Sequence, residues 1–199
     1  MKKLIIYFIL LISTKSLYGQ FNLKFTVGSN LSNYDLRMIS PSFKDAYQKY
    51  YKYRFLYNGG LGVEYITKSN ISILSGLIIS YRGSKDYAYP PPFRDYILSE
   101  YTFLELPILV SYSIKSKLVS IGTGVNLNKR LGSNGIRYGE YNRPYGLDLK
   151  CFINYNFYKR LEAQLSYTFG NYDKMLFGHQ DVYLHHVFAV NIQYTFWRF

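Results

Sequence analysis

Three histidines near the C-terminus are the residues best suited to bind a metal ion. They are His179, His185 and His186, and Asp173 and Asp181 lie nearby in the sequence. Imidazole and carboxylate groups are common metal ligands. Asp181 and His185 are four residues apart, a spacing that gives a common face on a helix but not on a strand or loop. We therefore expect a solvated loop tip here, and no metal site.

A hydrolase or acyltransferase would need a serine nucleophile, a histidine base and an acid that orients the base. His186 can be combined with Ser166 or with Ser80, but nothing in the spacing requires either combination. We therefore predict no serine–histidine site.

Glu105 with Arg82 or Lys150 has the residue types of a catalytic pair, but a structural ion pair explains these residues better. Cys151 is the single cysteine of the chain. It lies between Leu149 and Ile153 in an alternating segment and is expected to behave as a small apolar side chain. The sequence therefore predicts a chain that is not an enzyme and needs no cofactor.

A tyrosine-rich segment interleaved with cations follows the first predicted strand. Its members include Tyr47, Tyr50, Tyr51 and Tyr53 among Lys44, Lys49, Lys52 and Arg54. Tyrosine and arginine are favoured contact residues, so the segment is a candidate surface-binding loop. The favoured alternative is an outer aromatic girdle whose cations face lipopolysaccharide phosphates.

The elements that carry these residues have a hydrophobic period of two, which indicates strands. Eight runs follow this pattern: 23–31, 57–66, 71–82, 101–112, 119–130, 145–155, 161–169 and 187–196. In the last run Phe188, Val190 and Ile192 alternate with Ala189 and Asn191. The chain is thus predicted to be all-β.

The predicted connections alternate in length. They are short at 67–70, 113–118 and 156–160, and long at 32–56, 83–100, 131–144 and 170–186. Bacterial outer-membrane barrels have short periplasmic turns and long outer loops. The pattern therefore predicts an antiparallel up-and-down barrel with both termini on the periplasmic side.

The polar faces of the strands distinguish a membrane barrel from a soluble one. They carry small residues such as Gly60, Gly62, Gly122 and Gly124, with few charges. A soluble barrel has its polar face in water, where many lysines and glutamates are expected. A narrow barrel interior instead needs small side chains. We therefore expect the apolar face to contact lipid.

The charged residues on the inward faces balance as four cations against four acids. They are Lys24, Arg82, Arg130 and Lys150 with Glu64, Glu105, Asp148 and Glu162. Charges in a confined lumen must be paired or hydrated. The sequence predicts a structural ion-pair network that plugs the lumen, with Glu105 among Arg82, Lys24 and Lys150.

The N-terminus has the pattern of a secretory signal peptide. Lys2 and Lys3 precede an apolar run over residues 4–12, and Gly19 is a plausible cleavage point. The run is too short to span a bilayer. We assign residues 1–19 to a cleaved signal peptide and 20–199 to the barrel; the alternative is an uncleaved anchor helix.

Composition and charge restrict the partners. Aromatic residues make up 20% of the chain, with 24 Tyr, which suits a boundary between water and an apolar phase. The net charge of +12 is scattered through the predicted loops rather than clustered, so nucleic acid is not an expected partner. Anionic lipid and lipopolysaccharide are the expected partners of this charge.

Four segments of the chain resemble the PorT-like outer-membrane β-barrel family of the Bacteroidetes. They are 27–33 (VGSNLSN), 60–65 (GLGVEY), 77–83 (LIISYRG) and 104–110 (LELPILV), and the last is the most specific because it places Pro107 inside a strand. The resemblance implies an outer-membrane barrel over the mature chain. The family's founding member is tied to a protein-secretion system, so the resemblance also suggests secretion components as partners.

Chains that resemble this family tend to end on an aromatic residue, with a second one two positions earlier. This pattern looks like the signal read by the outer-membrane insertion machinery. Tyr194 and Phe196 fit it, although Trp197, Arg198 and Phe199 follow.

Together these features predict a small non-enzymatic outer-membrane barrel with a plugged polar lumen. It would serve envelope structure, surface binding or a secretion apparatus. The alternatives are an outer-membrane lipid-modifying enzyme, a small pore and a secreted soluble ligand-binding barrel.

Overall fold

The computed structural model of the chain is a closed barrel of eight antiparallel strands. It describes residues 19–37, 52–87, 96–114, 118–134, 145–176 and 179–199. The strands are β1 Gly19–Arg37, β2 Arg54–Thr67, β3 Ile71–Tyr87, β4 Tyr96–Ile114, β5 Val119–Asn134, β6 Tyr145–Tyr158, β7 Leu161–Leu176 and β8 His179–Arg198. The predicted fold class is confirmed.

Each strand pairs with the next along the chain, and β1 pairs with β8 to close the barrel. Leu31 lies opposite Phe188 at this closing seam, and the Phe199 N–H donates a hydrogen bond of 2.8 Å to the Phe21 carbonyl oxygen. The beginning of β1 and the end of β8 therefore lie side by side. No helix in the described part of the chain is long and apolar enough to cross a membrane.

The described short connections, β2 to β3 and β6 to β7, are tight turns at the same end of the barrel as the start of β1. In the turn between β2 and β3, Asn70 has a φ of 61° and donates its N–H to the Thr67 carbonyl oxygen at 3.2 Å. Asparagine tolerates this left-handed conformation better than most residues. The side-chain hydroxyl of Thr67 also accepts a bond of 3.2 Å from the Ile71 N–H.

The strands extend further beyond the opposite end than the hydrophobic pattern predicts. Residues 170–186 were expected to be a loop, but β7 continues to Leu176 and β8 begins at His179, with Gly170 opposite His185. β1, β3 and β5 likewise run on to Arg37, Tyr87 and Asn134. The reason is that ladder hydrogen bonds join backbones and do not need an apolar face, so the hairpins outlast the alternation.

The side chains of β8 show the polarity of the barrel wall. Val190 is 56% exposed and Phe188 44% exposed on the outer face, whereas Asn191 and Gln193 are only 2% and 3% exposed on the inner one. The same inversion holds for the other strands, whose buried residues are mostly Asn, Gln, Ser, Thr and charged side chains. The polar face is thus inside.

Pro107 interrupts the ladder between β3 and β4. These strands pair at Ser75–Ile108 and at Ile78–Glu105, but not at the two positions in between. Proline has no N–H, so β4 cannot donate the ladder bond at this point. The Pro107 side chain is buried, and on the other side it lies opposite Asn126 of β5.

A glycine makes room for the buried side chain of Phe152. Phe152 of β6 is 5% exposed and lies on the inward face, where most side chains are polar. A Cβ atom on Gly122, directly opposite in β5, would clash with the Phe152 ring and lie 2.6 Å from both the Ser111 Cβ and the Val110 carbonyl oxygen. The phenylalanine therefore fits only because its neighbour has no side chain.

We expect Gly122→Ala to lower the free energy of unfolding by about 1–3 kcal/mol, the usual cost of overpacking. The measurement is urea unfolding of the protein folded in detergent micelles. Gly132→Ala is the matched control, because a Cβ there meets nothing within 4 Å. Equal stability of the two variants would contradict the packing described here.

Candidate functional site

The inward charges form two separate clusters. The basal cluster, near the short turns, is centred on Lys24 of β1. Its ammonium group lies 2.8 Å from Glu64 Oε2 on β2 and 2.8 Å from Glu162 Oε1 on β7. Asn22 donates a hydrogen bond of 3.0 Å to Glu64. One lysine thus connects β1 to the strands on both sides of the closing seam.

The distal cluster, further from the short turns, is centred on Arg82 of β3. It consists of Arg82, Glu105, Asp148, Asn126, Asn128 and His185. Arg82 Nε donates to Glu105 Oε1 at 3.0 Å, Nη2 donates to the same oxygen, and Nη1 donates to Asp148 Oδ2 at 2.5 Å. The guanidinium group therefore bridges β3, β4 and β6 across the lumen.

Asparagines of β5 donate further hydrogen bonds to the two acids. Asn126 donates to Glu105 Oε2 at 3.1 Å, and Asn128 donates to Asp148 Oδ2 at 2.5 Å. Breaking a buried ion pair is costly, and such pairs persist only when their other polar atoms are hydrogen-bonded. These amides meet that requirement.

Two further contacts hold the Arg82 side chain. Its guanidinium carbon lies 5.1 Å from the centre of the buried Phe103 ring, within the range of a cation–π interaction. The Nδ1 atom of buried His185 lies 3.3 Å from Nη1. Arginine suits this position because its planar group satisfies several partners at once.

Gly170 of β7 leaves the space that the Asp148 carboxylate occupies. A Cβ on Gly170 would overlap the Asp148 carboxylate, which is 0% exposed. Close approach of an acid to a backbone is a common reason for glycine inside a strand.

Lys150 lies beside the distal cluster without joining its ion pairs. It is 6% exposed and lines a cavity of about 20 Å³ together with Arg82, Glu105 and Asn191. Among the described residues it forms no ion pair, and the Asn191 Oδ1 atom has no hydrogen-bond partner. A cavity of this size and polarity suits a single water molecule.

The predicted network is thus divided. Lys24, Glu64 and Glu162 meet in one cluster, and Arg82, Glu105 and Asp148 meet in the other. The sequence predicts Lys24 beside Glu105, but the two residues lie in different clusters. The reason is height along the barrel axis, since Lys24 is near the start of β1 and Glu105 is in the middle of β4.

Arg130 lies opposite Phe103, next to a bulge in the β4–β5 pairing, and is half-buried. It is not a member of either cluster's ion pairs, which are formed by other residues.

Sequence reasoning missed the amides and the histidine that complete these clusters. Asn126 and Asn128 lie on the polar face of β5, but nothing in the sequence indicated which acid each would bind. His185 was assigned to a solvated loop tip, which is wrong, since it is 1% exposed on the inner face of β8. Its partner Arg82 is distant in sequence, so no local pattern could reveal it.

The serine–histidine combinations weighed for chemistry do not assemble, whereas Glu105 and Arg82 meet as an ion pair. Ser166 is buried on the inner face of β7, whereas His186 is half-buried at an outward position of β8. The sheet therefore separates this serine from this histidine. Within the described residues, no group of three His, Cys, Asp or Glu side chains could hold a metal ion.

Tyr47, Tyr50 and Tyr51 of the candidate binding loop lie outside the described residues. Tyr53 is described; it is 48% exposed and its ring centre lies 6.3 Å from that of Phe188 on the outer surface. Tyr53 thus belongs to the outward-facing aromatic residues at the end of the barrel away from the short turns.

The two aromatic residues of the predicted insertion signal both lie on the outer surface of β8. A bulge at Phe196 leaves it without an opposite residue, because Leu23 pairs with Trp197 and Lys24 with Thr195. The bulge shifts the alternation, so Tyr194, Phe196, Trp197 and Phe199 are all exposed. Tyr194 with Phe196, and Trp197 with Phe199, are therefore both outward aromatic pairs that fit the spacing of the insertion signal.

Comparison with known proteins gives the fold. Neisserial surface protein A is similar, with a TM-score of 0.53 and 11% identity over 89% of this chain and 99% of that one. The outer-membrane protein AlkL, whose structure is in lipid bilayers, gives 0.50 and 10% identity over 89% of this chain and 90% of that one. The fold is that of the small outer-membrane β-barrels.

OprG, an outer-membrane protein of Pseudomonas aeruginosa, has a TM-score of 0.49 at 9% identity over 91% of this chain and 96% of that one. No protein-family model matches the chain, and no curated protein matches it by sequence. The resemblance to the PorT-like family therefore stays a prediction.

Glu105→Gln is expected to lower the free energy of unfolding by about 3–5 kcal/mol, because the change leaves Arg82 with one acid in a buried site. The matched control is Glu100→Gln. Glu100 also binds an arginine, at 2.8 Å from Arg54, but both side chains are 21% exposed, and such pairs contribute about 0.2–1 kcal/mol. Urea unfolding in micelles measures both variants.

The distal cluster would not be a stabilising element if Glu105→Gln unfolded at the wild-type urea concentration. Should that variant fold normally yet abolish an activity of the protein in cells, Glu105 would be a functional rather than a structural residue.

Proposed function

We propose that this chain is a non-enzymatic outer-membrane β-barrel whose lumen is closed by structural charge clusters. One observation carries the proposal, which is the inverted polarity of the wall. Leu61, Leu149 and Val190 are more than half exposed, while Lys24, Arg82 and Asp148 are at most 1% exposed. Only an apolar surrounding phase makes such an outer surface stable in a monomeric barrel.

The interior supports a closed structure rather than a pore. An eight-stranded barrel encloses a space that side chains can fill. Here amide and hydroxyl groups lie beside the distal cluster, among them Asn30, Asn58 and Ser80, which bond to each other across three strands. Hydrogen-bonded side chains thus occupy the cross-section at several heights.

The proposed orientation places both chain ends and the short turns in the periplasm. Residues 1–19 would act as the signal peptide, and the aromatic end of β8 would be read by the insertion machinery. The opposite end, with Tyr53 and the tyrosine-rich segment, would face the cell exterior and contact lipopolysaccharide. A role in a secretion apparatus, suggested by the PorT-like resemblance, is one form that this proposal takes; envelope structure and surface binding are the others.

The rival functions receive less support. A secreted soluble barrel would place a broad apolar surface in water, which soluble proteins avoid. A lipid-modifying enzyme would need a nucleophile and base on the same face, whereas Ser166 and His186 lie on opposite faces.

We expect the protein to fractionate with the outer membrane and to resist carbonate extraction. A closed barrel also stays folded in SDS until it is boiled, so the heated and unheated protein should migrate differently on a gel. Recovery of the mature chain in the soluble fraction would contradict the membrane assignment.

The wild-type protein should give no stable conducting steps in planar bilayers, because the clusters fill the lumen. Arg82→Ser removes the side chain that crosses the distal lumen and should produce small steps. Arg54→Ser is the control at the partly exposed ion pair and should stay silent. Large reproducible steps from the wild type would show that the lumen is open.

A further inference from the structure

A small polar patch interrupts the apolar outer surface at the end of the barrel away from the short turns. This outer patch consists of Asn33 on β1, Tyr53 just before β2, Tyr167 on β7 and His186 on β8. His186 pairs with Asn33 on one neighbouring strand and with Phe169 on the other. The patch thus brings together residues from both sides of the closing seam.

Tyr167 and His186 are fixed by one another. The Tyr167 hydroxyl lies 2.6 Å from His186 Nδ1, and their ring centres are 6.1 Å apart at 29°. Phe169 contacts the imidazole with a ring separation of 5.4 Å, and Phe188 contacts Tyr167 at 4.8 Å. The imidazole is therefore held in one orientation within an aromatic frame.

The patch lies at the edge of the apolar band. Along the outer face of β8 the residues before His186, counted from the short-turn end, are Tyr194, Ile192, Val190 and Phe188, all exposed. On β1 the outward Leu31 is likewise followed by Asn33. His186 is thus the first basic side chain after Tyr194 on the outer face of β8, at the point where this face leaves the apolar band and lipid headgroups begin.

The hydrogen bond defines what the imidazole can bind. When the Tyr167 hydroxyl donates to Nδ1, the proton of the neutral ring lies on Nε2, which becomes a donor. In the charged ring the hydroxyl accepts from Nδ1 and Nε2 is again a donor. In both of these states, but not in the neutral tautomer protonated at Nδ1, the ring offers an Nε2 N–H, and an N–H at an apolar boundary needs an acceptor to offset its desolvation.

We propose that His186 binds the phosphate group of a lipid headgroup in the leaflet at this end of the barrel. A phosphate oxygen accepts from Nε2, and the exposed rings of Tyr53 and Phe188 contact the adjoining part of the lipid. This inference rests on the proposed membrane location and goes beyond it by assigning a binding site. The apolar frame favours a lipid over a free anion, since only the lipid brings apolar groups to those rings.

The test uses the full barrel in a phosphate-free maltoside detergent, with histidine labelled by ¹⁵N. Short-chain phosphatidic acid, inorganic phosphate and the matching diacylglycerol are added separately. The His186 signals are assigned by their absence from His186→Phe. We expect the Nε2 signal of His186 to shift and saturate with phosphatidic acid, and with neither of the other two additives.

Native mass spectrometry supplies a second measurement, the fraction of barrels that retain phosphatidic acid. His186→Phe should weaken retention about tenfold, or about 1.4 kcal/mol. Lys129→Met is the control, because Lys129 is an outward cation outside the patch, 5.8 Å from the Tyr145 ring centre. Tyr167→Phe, which removes only the hydroxyl, should also weaken retention and serves if His186→Phe fails to fold.

Several results would overturn the site. They are an equal loss in Lys129→Met, an equal shift with inorganic phosphate alone, or an equal shift with diacylglycerol. A barrel that fractionates with the outer membrane but leaves the His186 signal unmoved refutes this inference alone. A chain that stays soluble refutes the membrane function instead.

Discussion

The narrowness of the lumen is the constraint on which the rest of this structure depends. Eight strands leave a space that side chains fill, and the outer wall is apolar, so each inward charge must be paired or hydrated inside the barrel. Arg82 meets this demand by reaching Glu105 on β4 and Asp148 on β6. Because β6 does not pair with β3, the contact with Asp148 links parts of the wall that share no hydrogen-bonded edge.

Glycines, as well as polar groups, determine where large side chains fit inside the barrel. Gly170 leaves room for the Asp148 carboxylate, and Gly122 leaves room for the Phe152 ring. Each glycine lies directly opposite the residue that it accommodates. The positions of the large inward side chains therefore follow from where the neighbouring strand has none.

The sequence predicted the fold because a period of two assigns each residue of a strand to one face. It located all eight strands and assigned Lys24, Arg82 and Asp148 to the inside. It failed where backbone pairing continues beyond the hydrophobic alternation, as at Gly170 and His185. It also failed where height along the barrel axis decides which residues meet, since Lys24 pairs with Glu64 and not with Glu105. Parity carries no information on the height of one strand relative to another, which depends on the stagger of the whole barrel.

The closing seam also bears on how the chain could be rearranged. The start of β1 and the end of β8 are joined by a backbone hydrogen bond between Phe199 and Phe21, so a short peptide would suffice to connect them. The ladder is already continuous around the barrel, so once the ends are connected any tight turn becomes an equivalent place to open the chain. The strand that comes first in the sequence can thus change while the order of strands around the wall stays the same, and circularly permuted chains are compatible with the same barrel.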